Sequence, residues 1–226
     1  MRKRLRLLLI LATAVLLVLA GLLGVLYWAL RYVPPAYREA IESAPVQLRE
    51  DNDALLQQAS ALSSDVQRRG TWEAVFTADE INGWLAVDLI ENHPDTLPPM
   101  FQDPRVAINP GEITLFCRIR RWGVSSVVSL RLEPYVVEPN VVAARIHSPR
   151  AGRLPMPLGE ILDRISQAAS RLGVPLQWRQ ADGDPVVMAT IPAPRNRGDR
   201  AMELEAIELR AGEVYIRGTT RREGRD

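Results

Sequence analysis

The chain has 226 residues, of which 47% are hydrophobic, and its formal net charge is +1 at pH 7. This length suits one domain together with an anchor, and the balanced charge offers no basic surface large enough for nucleic acid. The only cysteine, Cys117, excludes an intrachain disulfide, and its apolar neighbours predict a buried core position.

The N-terminal segment predicts an uncleaved signal-anchor. Residues 7–30 form 24 consecutive positions without a charge, whereas a membrane-spanning helix needs about 20 and a cleaved signal peptide usually carries about 7–15. Basic residues precede this segment: Arg2, Lys3, Arg4 and Arg6. Aromatic residues that suit the headgroup region lie at its C-terminal end: Tyr27, Trp28 and Tyr32. Residues 1–33 are therefore predicted as a cytoplasmic stub and a single-pass transmembrane helix in the cell membrane, which leaves the rest of the chain extracytoplasmic.

Residues 34–70 are predicted to form a juxtamembrane helical segment. From about residue 48 to residue 68, one helical face carries Leu48, Asn52, Leu55, Ala59, Leu62 and Val66. This face either packs against the following domain, which the short length favours, or pairs with another chain as a short coiled coil.

Residues 71–220 are predicted to form an extracytoplasmic domain that opens with the helix "FTADEINGWLAVDLIEN". Thr77 and Glu80 have the spacing of a capping box at its start. Its apolar face carries Ile81, Trp84, Leu85 and Leu89. Asp79 in the first turn and Asp88 on the polar side are predicted as capping and surface residues, not as a catalytic pair.

Strand patterns dominate from residue 104 onward, and a second helix is predicted over about residues 157–172. Residues 106–119, 127–146, 176–191 and 202–220 each alternate around a turn, as β-hairpins do. Residues 106–115 and 207–216 share one pattern around Gly-Glu, which indicates either a distant duplication or a common turn type. The predicted fold is α+β: an N-terminal transmembrane helix, then a curved antiparallel sheet of hairpins packed with two or three helices, and a disordered tail at residues 221–226.

Catalytic motifs are lacking in the sequence. His93 and His147 have no partners at metal-ligand spacing, and neither a Gly-x-Ser-x-Gly motif nor a phosphate-binding glycine loop is present. The chain is therefore predicted to be non-enzymatic, with no metal and no cofactor.

An apolar, proline-rich loop, "SPRAGRLPMPLGEIL", is the most unusual segment of the domain. Its apolar residues either fill the core or line a groove for an apolar ligand, because prolines hold such a wall in shape. The predicted groove residues are Leu154, Met156, Leu158, Trp84 and Trp178. The predicted contacts to lipid headgroups are Arg118, Arg120 and Arg153.

The order of these motifs resembles the YpmS-like family of bacterial single-pass membrane proteins. The resemblance covers residues 7–30 and 72–218, and the family's Gly-basic-Leu-x-(Ile/Leu)-Pro motif maps onto residues 152–157, with Met156 in place of a branched aliphatic residue. It implies a sheet-and-helix domain similar to the tubular lipid-binding domains, which hold acyl chains in an apolar groove.

Two functions remain open at this point. The first is a membrane-tethered domain that binds lipid or another apolar ligand near the bilayer. The second is an envelope scaffold that binds a protein partner through the helix at residues 48–68.

Overall fold

The computed structural model describes residues 2–94, 96, 97, 100–121, 123–147, 149–171, 175–181, 183–191 and 200–222. The described helices are α1 (Arg2–Leu30), α2 (Pro35–Ile41), α3 (Pro45–Val66), α4 (Ala78–Ala86), α5 (Asp88–Asn92) and α6 (Gly159–Arg171). The first strands are β1 (Gly70–Thr77), β2 (Phe101–Asn109), β3 (Glu112–Arg121), β4 (Val124–Glu138), β5 (Val141–Ile146) and β6 (Arg150–Ala151). The later strands are β7 (Leu154–Pro155), β8 (Leu176–Ala181), β9 (Asp184–Thr190), β10 (Arg200–Arg210) and β11 (Glu213–Arg222).

Helix α1 contains the one segment of the described chain that is long and apolar enough to cross a membrane. This segment, Leu11–Leu30, has 20 residues and a mean hydropathy of 2.3, and none of it is buried. Helix α1 ends at Leu30, and Pro35 and Pro45 are the first residues of α2 and α3. Proline suits this position because the missing N–H would have no partner inside the helix.

The strands form two antiparallel sheets, whereas the hairpin pattern predicts a single curved sheet. The small sheet has the order β1-β11-β10, and the large sheet has the order β2-β3-β4-β5-β9-β8, with β6 and β7 beside β4. Strand β1 closes the small sheet by pairing along its length with β11, from the opposite end of the chain. The predicted α+β class, with an apolar N-terminal helix and antiparallel hairpins, is confirmed.

The two hairpins that share the Gly-Glu pattern contact each other at their turns. Gly111 N donates to Leu209 O at 3.3 Å, and Gly212 N donates to Ile108 O at 3.0 Å. Gly111 and Gly212 hold equivalent places in the two hairpins, as do Ile108 and Leu209, so the two bonds are related by a pseudo-twofold exchange. The repeated pattern therefore builds the junction between the sheets.

Asparagine side chains cover the outer edges of both hairpins. Asn82 on α4 accepts from Val106 N at 2.7 Å and donates to Val106 O at 3.0 Å. Asn140, in the turn between β4 and β5, accepts from Leu204 N at 2.8 Å and donates to Met202 O at 2.6 Å. Each amide satisfies backbone groups that an edge strand would otherwise leave unpaired.

The predicted apolar face of helix α3 packs against other elements of the same chain. It lies against α4 and β1, and Asn52 on this face is buried. Gly83 permits the approach, because a Cβ there would lie 2.6 Å from Asn52 N and 2.7 Å from Leu48 O. The capping box predicted for α4 is confirmed: Thr77 Oγ1 accepts from Glu80 N at 3.2 Å, and Glu80 Oε2 accepts from Thr77 N at 2.8 Å.

A small core lies between α2 and the large sheet, next to the anchor. Tyr37 is fully buried and its ring centroid is 5.7 Å from that of Phe116. Its hydroxyl donates to Asp103 O at 3.0 Å. Cys117, predicted in the core, is only half-buried. Strand β11 reaches Arg222, so the predicted tail begins within a strand; residues 223–226 lie outside the described part.

Candidate functional site

The domain caps the C-terminal end of α1, the apolar helix that is predicted to be the anchor. The last carbonyl oxygens of a helix have no partner within the helix and need donors from elsewhere. Arg153 N donates to Ala29 O at 3.0 Å, and Ser126 Oγ donates to Leu30 O at 2.6 Å. The proline-rich loop and β4 therefore hold the end of α1 directly.

Gly152 makes this contact possible. Its backbone has φ of +58°, in the left-handed region that glycine adopts readily, and the residue is buried. A Cβ at this position would overlap Ala29 O and would lie 2.7 Å from Leu30 O. The glycine of the Gly-basic-Leu motif is thus the point where the loop touches the anchor.

The side chain of Arg153 lies over two aromatic rings next to the end of the anchor. Its guanidinium carbon is 4.9 Å from the ring centroid of Trp28 and 4.2 Å from that of Tyr32. Both distances are within the range of a cation–π interaction, about 6 Å. Arg31 makes a similar contact with Tyr27, at 5.4 Å. Aromatic and cationic side chains of this kind are typical of the headgroup region of a bilayer.

An open cleft of about 500 Å³ adjoins this contact. One wall consists of Tyr32 and Pro34, which follow the anchor, and of Gly152 and Arg153. The opposite wall is the surface of the large sheet, where antiparallel register places Phe116, Ser129 and Arg150 in one row. Thr114 and Arg131 form the neighbouring row on the same face.

The cleft is positively charged. Of the residues that the structure describes, three arginines and no acidic residue line it. Glu112 lies nearby, where its Oε2 is 3.4 Å from Arg131 Nη1 and its Oε1 accepts from Thr114 Oγ1 at 3.2 Å. Among the described residues, Arg150 and Arg153 have no carboxylate within ion-pair distance.

The predicted groove residues do not line this cleft, nor does the structure place all five in one wall. Leu154 on β7 and the nearby Met156 and Leu158 are half-buried in the loop that holds the anchor. Trp84 lies on α4 beside His93, with ring centroids 6.2 Å apart. Trp178 lies on β8 and donates to Ser166 Oγ at 2.9 Å. Because α4 packs on β2, and β2 and β8 are opposite edges of the large sheet, the two tryptophans stand far apart.

Of the predicted headgroup contacts, Arg153 lines the cleft. Arg118 and Arg120 share the face of β3 that carries Phe116, but they lie further along the strand. Arg118 Nη1 is 3.1 Å from Asp103 Oδ2, so its charge is partly balanced. Arg131 and Arg150 are not among the residues predicted from the sequence, although Arg131 alternates with apolar residues in β4 as a residue on an open face does.

The titratable side chains of the described part do not converge on a catalytic or metal site. His147 lies between two carboxylates, with Nε2 2.8 Å from Glu133 and Nδ1 3.3 Å from Asp184. These carboxylates lie on opposite sides of the ring and do not meet at one point. Burial raises the pKa of the Cys117 thiol to about 11, so it is a poor nucleophile near neutral pH.

Comparisons with protein-family models, with curated proteins and with solved structures find no match for this chain. The resemblance to the YpmS-like family therefore stays a prediction.

Proposed function

We propose that this chain is a single-pass membrane protein whose extracytoplasmic domain binds lipid headgroups at the bilayer surface and catalyses no reaction. The observation that carries this proposal is the direct contact between the domain and the end of the anchor. Arg153 N and Ser126 Oγ bind the last carbonyl oxygens of α1, which prevents the domain from swinging freely on a linker.

The position of the cleft supports a role at the headgroup layer. The apolar segment ends at Leu30, and two cleft residues, Tyr32 and Pro34, follow within a few positions. When Leu11–Leu30 spans the hydrocarbon core, the cleft opens at the level of the polar headgroups. A lipid could then place its headgroup in the cleft while its acyl chains remain in the bilayer.

The apolar side chains of the loop fit this arrangement in a supporting role. Leu154, Met156 and Leu158 are half-buried next to the anchor contact, where burial of each CH₂ group contributes about 0.8 kcal/mol. In this proposal they hold the loop in place, and the arginines of the cleft contact the ligand.

The envelope scaffold stays the alternative hypothesis. A partner of α3 would have to bind its outer surface, where Val46 and Leu56 are exposed, because the predicted face of this helix packs on α4.

The test compares lipid retention by the full chain and by a variant of the anchor contact. Full-length protein is purified in mild detergent and examined by native mass spectrometry and solvent extraction. We expect a stoichiometric lipid on the wild type and a clear loss of it in Gly152→Ala, because the added Cβ meets Ala29 O and Leu30 O.

Gly183→Ala is the matched control. Gly183 also has a positive φ, +90°, but nothing lies within 4 Å of the place that a Cβ would take. The substitution therefore introduces similar backbone strain without touching the anchor, and we expect this variant to retain lipid. A wild type without lipid, or equal retention by both variants, would contradict the proposal.

A further inference from the structure

The charge of the cleft exceeds what its surroundings neutralise. Arg131, Arg150 and Arg153 bring three positive charges to one opening. Glu112 balances one of them through its contact with Arg131 at 3.4 Å. Among the described residues, the other two positive charges, on β6 and on the loop that follows it, have no carboxylate within ion-pair distance.

The donor groups of the cleft suit a phosphate. Guanidinium groups bind phosphate oxygens in a bidentate manner, and such charge-assisted bonds are stronger than neutral ones. Ser129 adds a hydroxyl beside Arg150, since it pairs with Arg150 on one side and with Phe116 on the other. Arg153 is already oriented by the rings of Trp28 and Tyr32, so little of its side-chain freedom is lost on binding.

We infer that the cleft binds the phosphomonoester headgroup of a membrane lipid. This inference rests on the proposed function and names its ligand class. A phosphomonoester carries a charge of about −1.5 to −2 at pH 7, which matches the two unbalanced positive charges. A phosphodiester lipid carries a single negative charge on its phosphate and would leave one arginine without a counter-charge.

The apolar part of the cleft indicates a lipid as the source of the phosphate. Phe116 lies under the cleft, and Tyr32 and Pro34 form the wall next to the anchor. These side chains would contact the glycerol and the first methylene groups of a lipid. A volume of about 500 Å³ also exceeds what a free phosphate needs and lies within the range of about 300–1,000 Å³ for small-molecule sites.

The experiment titrates the full-length protein in detergent with three probes by isothermal calorimetry. The probes are dihexanoyl phosphatidic acid, dihexanoyl phosphatidylglycerol and inorganic phosphate. We expect phosphatidic acid to bind at least tenfold more tightly than either of the others. We expect Arg150→Gln to weaken the binding of phosphatidic acid about tenfold or more, because a charge-assisted phosphate contact is lost.

Arg179→Gln removes the same charge from an exposed position on β8, away from the cleft, and serves as the control. Thermal unfolding of each variant shows that it is folded, and Arg131→Gln provides a second variant of the cleft. We expect the control to bind phosphatidic acid like the wild type.

Three results would overturn the inference. Equal affinity for the two lipids would exclude a phosphomonoester preference. Inorganic phosphate binding as tightly as phosphatidic acid would identify a free-anion site. Unchanged binding by both Arg150→Gln and Arg131→Gln would place the ligand elsewhere. If the purified protein still retains a lipid in any of these cases, the proposed function stands and only the phosphomonoester preference is wrong. If it retains no lipid, both the proposed function and the phosphomonoester preference are wrong.

Discussion

Cys117 lies half-buried on β3, and its Sγ donates to Gln102 O at 3.2 Å. Burial raises the pKa of the thiol to about 11, and the negative charge of Asp103 adds to this shift. The pKa in the unfolded chain stays near the ordinary value of 9.0. Between these values the unfolded chain loses a proton that the folded chain keeps, so this thiol lowers stability as the pH rises from 9 to 11.

The reactivity of Cys117 tests this shift. We expect iodoacetamide to modify the folded full chain slowly up to about pH 10, since the thiolate is the reactive form. In denaturant the same cysteine should react with a midpoint close to pH 9. Mass spectrometry of timed samples measures both rates, with Cys117→Ser as the blank. A midpoint near pH 9 in the folded protein would show that burial does not control the thiol.

At the scale of single elements, the contact between α4 and β2 depends on one buried side chain. Asn82 provides both partners for the backbone of Val106, at 2.7 Å and 3.0 Å. The side chain is 5% exposed, so water cannot replace these bonds. The helix thereby protects the outer edge of the large sheet.

Asn82→Ala should destabilise the protein by about 2 kcal/mol or more, because each buried backbone group left unpaired costs about 1–3 kcal/mol. In a chain of this size such a loss lowers the melting temperature by about 4–8 °C. Thermal unfolding of the full chain in detergent measures it. Asn109→Ala, exposed at the end of β2, is the control and should change stability by less than about 0.5 kcal/mol. Equal melting temperatures for the two variants would argue against this role.

At the scale of the whole molecule, Asn140 connects the two sheets. Besides its side-chain bonds to β10, Asn140 N donates to Leu204 O at 3.2 Å, and Asn140 O accepts from Ile191 N at 2.8 Å. Its φ of +64° lies in the left-handed region, which asparagine tolerates better than most residues. The residue therefore combines an unusual backbone conformation with contacts to two other parts of the chain, β10 and Ile191 after β9.

Two substitutions separate these contributions. Asn140→Gly removes the side-chain bonds but keeps the left-handed backbone accessible, whereas Asn140→Ala also introduces strain of about 1–2 kcal/mol. We expect both variants to accelerate hydrogen exchange at Leu204 N, with alanine lowering stability more than glycine. Hydrogen exchange with mass spectrometry and thermal unfolding measure the two effects. Unchanged exchange at Leu204 in the glycine variant would show that the side chain does not hold the sheets together.

The sequence by itself determined the features that depend on neighbouring residues. The apolar N-terminal helix, the Thr77–Glu80 capping box, the packing face of α3 and the hairpins all follow from composition, spacing and turn residues within about 20 positions. The α+β class follows from their order along the chain. For Trp84 and Trp178, the sequence identified large apolar side chains, but it did not determine whether each of them lines a groove or fills the core.

Only the tertiary structure decided where distant segments meet. The pairing of β1 with β11, the contact of Gly152 with Ala29, and the assembly of Arg131, Arg150 and Arg153 beside the anchor join residues from separate elements. Such contacts depend on which strands become neighbours in the sheets, because register and strand order place side chains from several strands on one face. No local pattern encodes that order, and for this reason the basic cleft emerged from the fold and not from the sequence.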